Sequence, residues 1–488
     1  MPANTAANWL GAIAAHLDST PLQQLQIDSR QVGPGDVFLA LPGHQQHGQI
    51  FIADALERGA ALVLTDALPE NCSDDRVLLV PDLVNQMQAL ASQFYRQPAQ
   101  GMQLIGVTGT NGKSSTACFI QQLAQQLQQS AALIGTLGYG RPGKLTPLPN
   151  TTPHQVELQK IFAHFKQQDT RLVAMEVSSH AMAQGRVAGL KFDVAVFSNL
   201  SRDHLDYHGT MAAYGAAKAR LLTPDYCRQA VVNVSDAYGA ELAAKLSVPY
   251  CAVGALDDCQ GHERYLGYSQ VETTATGFRC QLQSADGNWT LKLPLMGAFN
   301  IDNAVAAMAA LWLQGADLDA LVAAADRLEA IAGRMEQFHF PHPLLLVVDY
   351  AHTPDALELA LTALRSHCQG HLWCVFGCGG DRDQGKRPIM GQIAQRYADR
   401  VVITSDNPRH EPMLQICQQI AAGMTDAACY QIEPDRELAI KLALAEAQPG
   451  DLILVAGKGH ETYQQIGASF RDYDERAYIR QLQREMRL

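Results

Sequence analysis

Short runs of apolar residues recur along this chain, and most of them stop at a polar or glycine-bearing segment. Examples are RLVAMEVSS, FDVAVFSNL, PLLLVVDYAH and DLILVAGKG. Continuous apolar runs, rather than alternating ones, are typical of strands in parallel sheets, which are buried on both faces. Helical stretches separate many of these runs. The pattern therefore predicts an α/β protein that binds its ligands at the carboxyl ends of the strands.

The same pattern divides the chain into three blocks. Residues 1–99 alternate short strands and helices, and the segment RQPAQGM at 96–102 reads as a linker. Residues 100–332 open with a strand, a glycine-rich loop and a helix, and close with two helices reaching about residue 331. Residues 333–488 restart the alternation. We expect three domains, since 488 residues exceed one core, with the second and third sheets facing each other across a cleft.

Composition and charge narrow the class of function. With 47% apolar and 18% charged residues the chain is an ordinary globular protein, and its net charge of −12 argues against nucleic acid as a partner. The N-terminal segment has no basic region, and the longest apolar helix candidate, 304–313, is too short for a bilayer. We expect a cytoplasmic protein with no membrane partner. The 11 cysteines include no CxxC pair and are expected to be buried thiols.

The segment GVTGTNGKSST at 106–116 has the features of a phosphate-binding loop. Its small residues let backbone N–H groups surround a polyphosphate, Lys113 adds positive charge, and Ser114 or Ser115 can offer a hydroxyl to Mg²⁺. Val107 stands where the strict pattern has glycine, so the loop is a variant. The expected ligand is a nucleoside triphosphate with Mg²⁺.

Three polar residues follow in the same block. Glu176 ends an apolar strand, where a carboxylate is costly to bury without a cation, so we expect a Mg²⁺ ligand, with a capping or surface carboxylate as the alternative. The next strand ends in SNLSRDHLDYHG, where His204 is expected to contact Mg²⁺ or phosphate and the role of His208 stays open. Lys218, in YGAAKARLL, would by itself be a solvated helix lysine.

Four strand ends in the third block carry charged residues: DYAHTPDA, GCGGDRDQGKRP, TSDNPRHEP and AGKGHETY. Arg382 and Arg409 can bind carboxylates, whereas Asp406 and Glu461 can accept hydrogen bonds from an ammonium group. Asn407 can do either. Arginine and acid at the edge of one sheet favour a zwitterion such as an amino acid, although a network of ion pairs would also explain them.

Together these motifs resemble those of the Mur ligases over nearly the whole chain. TGTNGKSS resembles the ATP loop of that family, MEVSSH and RDHLDYHG resemble its Mg²⁺ and substrate region, and GAFNIDNAVAA resembles its adenine-side segment. DYAHTP is also typical of the family. The tetrapeptide DNPR at 406–409 is typical of members that add meso-diaminopimelate, whereas lysine-adding members differ there.

The resemblance implies an ATP-dependent ligase of peptidoglycan synthesis, acting as a monomer. It would join meso-2,6-diaminopimelate to the D-glutamate of UDP-N-acetylmuramoyl-L-alanyl-D-glutamate through an acyl phosphate. The implied architecture has an N-terminal α/β UDP-binding domain, a central P-loop-type parallel-sheet ATPase domain and a C-terminal Rossmann-like α/β domain.

The resemblance also implies site residues for each ligand. The ATP set is Gly109, Thr110, Asn111, Gly112, Lys113, Ser114, Ser115 and Asn300. The UDP-sugar-peptide set is Ile27, Ser29, His44, Gln45, Gln46, Asn150, Thr151, Thr152, Ser178, Gln184 and Arg186. The diaminopimelate set is Arg382, Asp406, Asn407, Pro408, Arg409, Gly457 and Glu461. The implied catalytic residues are Lys113, Glu176, His204 and Lys218, and the implied Mg²⁺ ligands are Ser114, Glu176, His204 and Lys218. Lys218 would act as a carbamate, because carbamylation turns a cation into an anion that binds metal.

Two other classes of protein would use part of these residues. A P-loop NTPase acting as a switch needs the loop but not the charged strand ends of the third block. A non-catalytic nucleotide-sugar-binding protein leaves Lys113, Glu176 and His204 without a role. Within the ligases, the nearest alternative is a relative that adds L-lysine or another diamine. Phosphate release that depends on both amino acid and UDP-sugar peptide would separate the three classes.

Overall fold

The computed structural model describes residues 22–43, 46–70, 72–141, 143–341 and 343–486. In these ranges the chain forms three α/β units, each built around its own sheet. None of the helices there combines the length and the apolar character that crossing a bilayer requires.

The N-terminal sheet has four parallel strands in the order β1-β2-β3-β4. These are β1 (Leu25–Gln26), β2 (Val37–Ala40), β3 (Leu62–Thr65) and β4 (Val77–Leu79), with helices α1 (Ile52–Glu57) and α2 (Leu83–Phe94). Every residue of β2 and β3 is buried, because separate apolar clusters cover the two faces of the sheet. This explains why both strands are continuous apolar runs.

The central sheet has eleven strands in the order β15-β14-β13-β12-β11-β10-β5-β9-β6-β7-β8. Their bounds are β5 (Gln103–Thr108), β6 (Ala131–Gly135), β7 (Gly138–Arg141), β8 (Lys144–Thr146), β9 (Leu172–Glu176), β10 (Phe192–Phe197), β11 (Cys227–Asn233), β12 (Tyr250–Ala255), β13 (Tyr265–Thr274), β14 (Gly277–Ser284) and β15 (Gly287–Leu293). The strands from β13 to β6 pair in parallel, as predicted for the apolar runs that form β9 and β10. Antiparallel pairing extends the sheet at both edges through β7, β8, β14 and β15, which the apolar runs did not reveal.

Nine helices of the central unit lie in the described part of the chain. They are α3 (Lys113–Gln126), α4 (Gln155–Gln167), α5 (Ser179–Ala183), α6 (Leu205–His208), α7 (Met211–Ala219), α8 (Ala237–Ala243), α9 (Leu256–Cys259), α10 (Phe299–Leu313) and α11 (Leu318–Ala325). Helix α10 is almost entirely buried, and it shares one core with α3 on the same face of the sheet. The two helices predicted at the end of this block are α10 and α11, but α11 ends earlier than predicted, at Ala325.

The C-terminal sheet has six strands in the order β16-β17-β21-β18-β19-β20, and β16 alone of these is antiparallel to its neighbour. They are β16 (Glu336–Phe340), β17 (Leu344–Asp349), β18 (Leu372–Phe376), β19 (Arg400–Ile403), β20 (Tyr430–Ile432) and β21 (Leu452–Ala456). The helices are α12 (Pro354–Arg365), α13 (Lys386–Tyr397), α14 (Met413–Ala421), α15 (Arg436–Glu446) and α16 (Glu475–Glu485), and β22 (Tyr463–Ile466) pairs with β23 (Ser469–Asp472). The four charged strand ends of this block follow β17, β18, β19 and β21 at one edge of the sheet.

The central and C-terminal units meet around a cavity of about 540 Å³ that residues from both units line. Away from the residues that line it, Nδ1 of His367 lies 2.8 Å from the carbonyl oxygen of Thr274, and the amide of Gln337 donates to the carbonyl oxygens of Thr276 and Pro294. These contacts tie the C-terminal unit to the β13–β14 hairpin and to the end of β15. The expected cleft between the two sheets is present.

Candidate active site

The phosphate-binding loop forms the turn between β5 and α3 and lines the cavity from Thr110 to Ser115. Gly112 has a left-handed φ of 82°, and a side chain there would overlap Oδ1 of Asn303 on α10. Nζ of Lys113 donates to the carbonyl oxygens of Gly109, at 3.0 Å, and Thr110, at 2.8 Å. The loop is therefore wrapped around its own lysine. That the loop binds a polyphosphate stays a prediction.

Glu176 ends β9, next to β5, and is almost completely buried. Its Oε1 accepts a hydrogen bond from the backbone N–H of Thr136 at 2.9 Å, and its Oε2 accepts one from the Thr136 hydroxyl at 3.2 Å. A side chain at Gly135 would overlap the Glu176 carboxylate, so glycine keeps this niche open. The surface alternative for Glu176 is wrong, because the carboxylate is buried at the cavity wall. The carboxylate does cap the backbone N–H of Thr136, so its role as a Mg²⁺ ligand stays a prediction.

The donor atoms around this carboxylate suit Mg²⁺. Ser114, Glu176 and His204 all line the cavity beside the phosphate loop. Across the described ranges, no three acidic, histidine or cysteine side chains converge into a metal cluster by themselves. Mg²⁺ is typically held by one or two carboxylates together with substrate phosphates, rather than by an all-protein cage. The residues present therefore fit a Mg²⁺ ion that shares its ligands with a bound nucleotide.

Lys218 on α7 is only 1% exposed, so the interpretation as a solvated helix lysine is wrong. Its Nζ donates to the carbonyl oxygen of Gly109 at 2.6 Å and lies 4.4 Å from the centre of the Tyr214 ring. None of the ion pairs in the described part of the chain includes Lys218, although the charge of Asp203 acts on it and partly opposes the lowering of its pKa. Burial, and to a smaller extent the charge of Lys113, lower the pKa of Lys218 to about 7.

His204 and His208 have different surroundings. His204 has a left-handed φ of 52°, is 44% exposed and lines the cavity. Its ring meets that of His180 edge-on, with centres 4.8 Å apart. His208 instead has Nε2 3.0 Å from the Ser179 hydroxyl, and its ring packs against Tyr214. His204 is thus open to a ligand, whereas His208 packs between α5 and α7.

Four members of the UDP-sugar-peptide set form one hydrogen-bonded group. Arg186 donates to the carbonyl oxygen of Thr152 at 2.8 Å and, through Nε, to Oε1 of Gln184 at 2.9 Å. The Thr152 hydroxyl donates to the backbone carbonyl of Glu176 at 2.9 Å and accepts from the backbone N–H of Ser178 at 3.0 Å. The group is therefore attached directly to the strand end that carries Glu176.

The other members of this set are more scattered. The Thr151 hydroxyl lies 3.0 Å from that of Thr136, and Asn150 is exposed. In the N-terminal unit Ile27 and Gln46 are exposed and Ser29 is buried, and none of these three lines the cavity. The predicted contacts His44 and Gln45 lie outside the described residues.

The diaminopimelate set is brought together at the carboxyl edge of the C-terminal sheet. The amide of Asn407 donates to Oε2 of Glu461 at 2.9 Å, and buried Lys458 donates to the same oxygen at 3.0 Å. A side chain at Gly457 would meet Oδ2 of Asp406 at 2.8 Å. Pro408 is buried in the same loop. The acids and the amide of the set thus lie on adjoining loops.

The two arginines of the set lie on either side of Gly379. A side chain there would meet Nη1 of Arg409 at 2.9 Å and Cγ of Arg382 at 3.6 Å. Nη1 of Arg409 donates to the carbonyl oxygen of Gly380 at 2.8 Å, whereas Arg382 is exposed. One arginine is therefore anchored and the other is open to solvent.

The sequence patterns did not indicate several residues at the cavity wall, or Lys458 beside the diaminopimelate set. Asn303 lies within the GAFNIDNAVAA segment. Its Nδ2 donates to Oδ1 of Asn300 at 3.0 Å, and its Oδ1 accepts from the Thr116 hydroxyl at 3.3 Å. Lys458 lies within AGKGHETY, from which only Gly457 and Glu461 were predicted as site residues. Arg334 and Asp349 bring the C-terminal unit to the cavity wall. Asp349 ends β17, whereas Arg334 lies in a connecting segment whose sequence shows no motif.

Comparison with known proteins gives matches over almost the whole chain. Three family profiles match: "Mur ligase family, catalytic domain" over residues 21–95, "Mur ligase middle domain" over 107–311 and "Mur ligase, glutamate ligase domain" over 333–459. The UDP-N-acetylmuramoyl-L-alanyl-D-glutamate--2,6-diaminopimelate ligase of Ectopseudomonas mendocina (strain ymp) is 45% identical over 448 residues, covering 91% of each chain. The enzyme of that name from Vibrio vulnificus (strain YJ016) is 43% identical over 487 residues, covering 98% of this chain and 97% of its own. A solved structure of a ligase of that name aligns with a TM-score of 0.73 at 35% identity, covering 96% of each chain.

Proposed function

The chain belongs to the Mur ligase family, and from that premise we propose that it adds meso-2,6-diaminopimelate to the D-glutamate of UDP-N-acetylmuramoyl-L-alanyl-D-glutamate at the expense of ATP. One observation carries the proposal. A phosphate loop and a buried carboxylate line the cavity where the central unit meets the C-terminal unit, and loops at the carboxyl ends of the C-terminal strands bring acids and arginines together, although none of the diaminopimelate set itself lines that cavity. A nucleotide switch needs only the first of these features.

We assign the three units to three ligands. Residues 1–99 would bind the uridine diphosphate, residues 100–332 the ATP and the peptide end of the acceptor, and residues 333–488 the amino acid. The group formed by Thr152, Ser178, Gln184 and Arg186 supports this division, because it extends from Glu176 toward solvent beside the phosphate loop.

In the first step the glutamate carboxylate of the acceptor attacks the γ-phosphate of ATP and forms an acyl phosphate. Two anions must approach, so the residues around them have to offset the repulsion. Lys113 and the N–H groups of the loop do so on the phosphate side, and Arg334 approaches from the C-terminal unit. Mg²⁺ held by Ser114, Glu176, His204 and carbamylated Lys218 would neutralise further charge on the phosphates.

The surroundings of Lys218 support the proposed carbamate. A buried ammonium without an acidic partner in the described ranges is unfavourable, and a pKa near 7 leaves much of the amine unprotonated at neutral pH. A neutral amine attacks CO₂ and releases a proton, which gives a carbamate anion. That anion would lie beside the phosphate loop, where it would help to bind the Mg²⁺ that the phosphates need.

In the second step the amine of diaminopimelate displaces phosphate from the acyl phosphate and forms the amide. Asp406 and Glu461 would hold the ammonium group of the distant end of the amino acid, while Arg409 and Arg382 hold its carboxylate. L-Lysine lacks that carboxylate. Closure of the C-terminal unit onto the cleft would exclude water, which would otherwise hydrolyse the acyl phosphate.

The experiment that tests the proposal measures phosphate release with each substrate omitted in turn. We expect release to require ATP, UDP-sugar dipeptide and diaminopimelate together. Lys113→Ala should abolish release and keep a melting temperature close to the parent's, because the lysine charge acts on phosphates rather than in a core. Release that needs neither amino acid nor acceptor would contradict the ligase and favour a nucleotide switch.

A further inference from the structure

Arg387 on α13 is a fully buried cation that the proposed chemistry does not use. Its guanidinium binds both carboxylate oxygens of Glu411, with Nη1 2.7 Å from Oε2 and Nη2 2.8 Å from Oε1. Two parallel hydrogen bonds of this kind fix orientation as well as distance. The neighbouring guanidinium lowers the pKa of Glu411 to about 2, so the pair is charged at any working pH.

The Arg387–Glu411 pair joins the two loops that carry Arg382 and Arg409. Nη2 of Arg387 also donates to the carbonyl oxygen of Gly379 at 3.1 Å. Oε1 of Glu411 accepts from the backbone N–H of Asp381 at 2.6 Å. One ion pair therefore holds the loop after β18 on both sides of Gly380, through the carbonyl of Gly379 and the N–H of Asp381.

The loops are also joined directly to each other. The backbone N–H of Gly380 donates to the carbonyl oxygen of Asn407 at 2.9 Å, and Arg409 donates to the carbonyl of Gly380. Nδ1 of His410 lies 2.7 Å from Oδ2 of Asp381. These contacts form a small network with the buried ion pair at its base.

Each loop contains a residue other than glycine in the left-handed backbone region. Asp381 has φ 54° and Arg409 has φ 49°. An L-residue keeps this conformation only where surrounding contacts hold it. The backbone N–H of Asp381 is held by Glu411, and that of Arg409 by the carbonyl of Gln465 at 3.1 Å. Without the ion pair, the loop after β18 loses the contact that holds its strained residue.

We propose that Arg387 and Glu411 are positioning residues that set the spacing of Arg382 and Arg409, and through it the selectivity for an amino acid with a second carboxylate. The inference rests on the proposed function of these two arginines. A bidentate site for a carboxylate depends on where its donors lie, and a displacement of about 1 Å can cost a hundredfold in rate. Lysine makes no use of this site, so its turnover should depend far less on the spacing.

The test compares Arg387→Lys and Glu411→Gln with the parent enzyme. Arg387→Lys keeps the positive charge and loses the planar guanidinium that forms two parallel hydrogen bonds. Glu411→Gln keeps the size and shape of the side chain and loses its charge. The Glu411 variant therefore remains informative even where Arg387→Lys fails to fold. We expect the KM for diaminopimelate to rise by about tenfold to a hundredfold, and the KM for ATP by less than about threefold. In competition, the product ratio of diaminopimelate to lysine should fall by about tenfold or more.

Asp451→Asn is the matched control. Asp451 is a buried carboxylate at the opposite edge of the same sheet, where it accepts from the backbone N–H of His371 at 2.7 Å and the indole of Trp373 at 3.0 Å. Its loss should lower the melting temperature and leave both KM values as in the parent.

Three results would overturn the inference. One is an unchanged KM for diaminopimelate in the folded Arg387 and Glu411 variants, provided that the parent enzyme ligates diaminopimelate. That result would leave the proposed function intact. A second is an equal rise in that KM in Asp451→Asn, which would assign the effect to general loosening of the domain. A parent enzyme that shows no diaminopimelate-dependent release of phosphate would overturn the proposed function and the inference together.

Discussion

Nζ of Lys218 on α7 lies 2.6 Å from the carbonyl oxygen of Gly109 in the phosphate loop. The two residues are far apart in sequence, and the contact places a buried lysine directly under the site where phosphates are expected. A cation in that place would compete with Mg²⁺, whereas a carbamate would help to bind it.

Replacing Lys218 should therefore remove more than a helix side chain. We expect Lys218→Ala to lose most activity, about a hundredfold or more, and a short carboxylic acid to restore part of it by supplying the missing anion. Lys218→Glu should be less damaging than Lys218→Ala. Lys245→Ala, which removes an exposed lysine of the same unit, is the control and should be fully active.

Labelling tests the carbamate directly. With ¹³C-bicarbonate, the parent should show a carbamate carbon in the NMR spectrum that is missing in Lys218→Ala. Near-parental activity of Lys218→Ala, or no such signal in the parent, would count against the assignment.

Gly112 offers a test of the phosphate loop. It has φ 82° and a side chain there would meet Asn303, whereas Gly315 has φ 90° and nothing within 4 Å of where a side chain would stand. Alanine at either position should cost about 1 kcal/mol of unfolding free energy through backbone strain. Only Gly112→Ala should also raise the KM for ATP, by about tenfold or more, since it alone displaces a residue of the nucleotide site. Equal KM values in the two variants would contradict the role of the loop.

Arg409 should determine the choice of amino acid. Removing one charge-assisted, bidentate contact should cost about 2–4 kcal/mol, or roughly thirtyfold to a thousandfold in kcat/KM for diaminopimelate. Arg409→Ala should narrow the preference for diaminopimelate over lysine, because it lowers kcat/KM for diaminopimelate. Arg409→Lys should not restore the preference, because a point charge cannot reproduce the planar guanidinium. The measurement is the product ratio at fixed ATP and acceptor. An unchanged ratio would move the specificity to another residue, with Arg382 the first to examine.

The ion pair of Glu411 predicts a pH dependence of stability. The pKa of Glu411 in the folded protein is about 2, below its ordinary value of 4.5, so the pair stabilises the folded state above about pH 5 and is lost as the pH falls toward 2. At pH 7 Glu411→Gln should be less stable than the parent by about 1–2 kcal/mol, a range that allows for solvent screening of the partly exposed carboxylate, and the difference should shrink at pH 4 and below. Urea unfolding at several pH values checks this. A difference that does not change with pH would show that charge is not its source.

Much of the fold could be read from the sequence because parallel strands are buried on both faces and appear as continuous apolar runs. The antiparallel edge strands β7, β8, β14 and β15 were missed because they are not continuous apolar runs. In β14 buried and partly exposed positions alternate, so the strand contains polar residues that weaken the pattern. The lengths of the loops between units also gave no information on how the units pack.

The candidate site was predictable where its residues are neighbours in sequence, as in the phosphate loop and DNPR. It was not predictable where contacts join distant segments. Lys218 looked like a surface residue until its contact with Gly109 was visible, and nothing near Arg387 in sequence indicates Glu411 as its partner. The sequence does not show that Asn303 occupies the space that a side chain at Gly112 would need.

Mass analysis of the product tests most directly whether this chain joins diaminopimelate to the UDP-sugar dipeptide. The enzyme would be incubated with ATP, the acceptor and equal amounts of meso-diaminopimelate and L-lysine. We expect one dominant new species, with the mass of the diaminopimelate amide, formed together with an equal amount of phosphate. A dominant lysine adduct, or hydrolysis of ATP with no adduct at all, would contradict it.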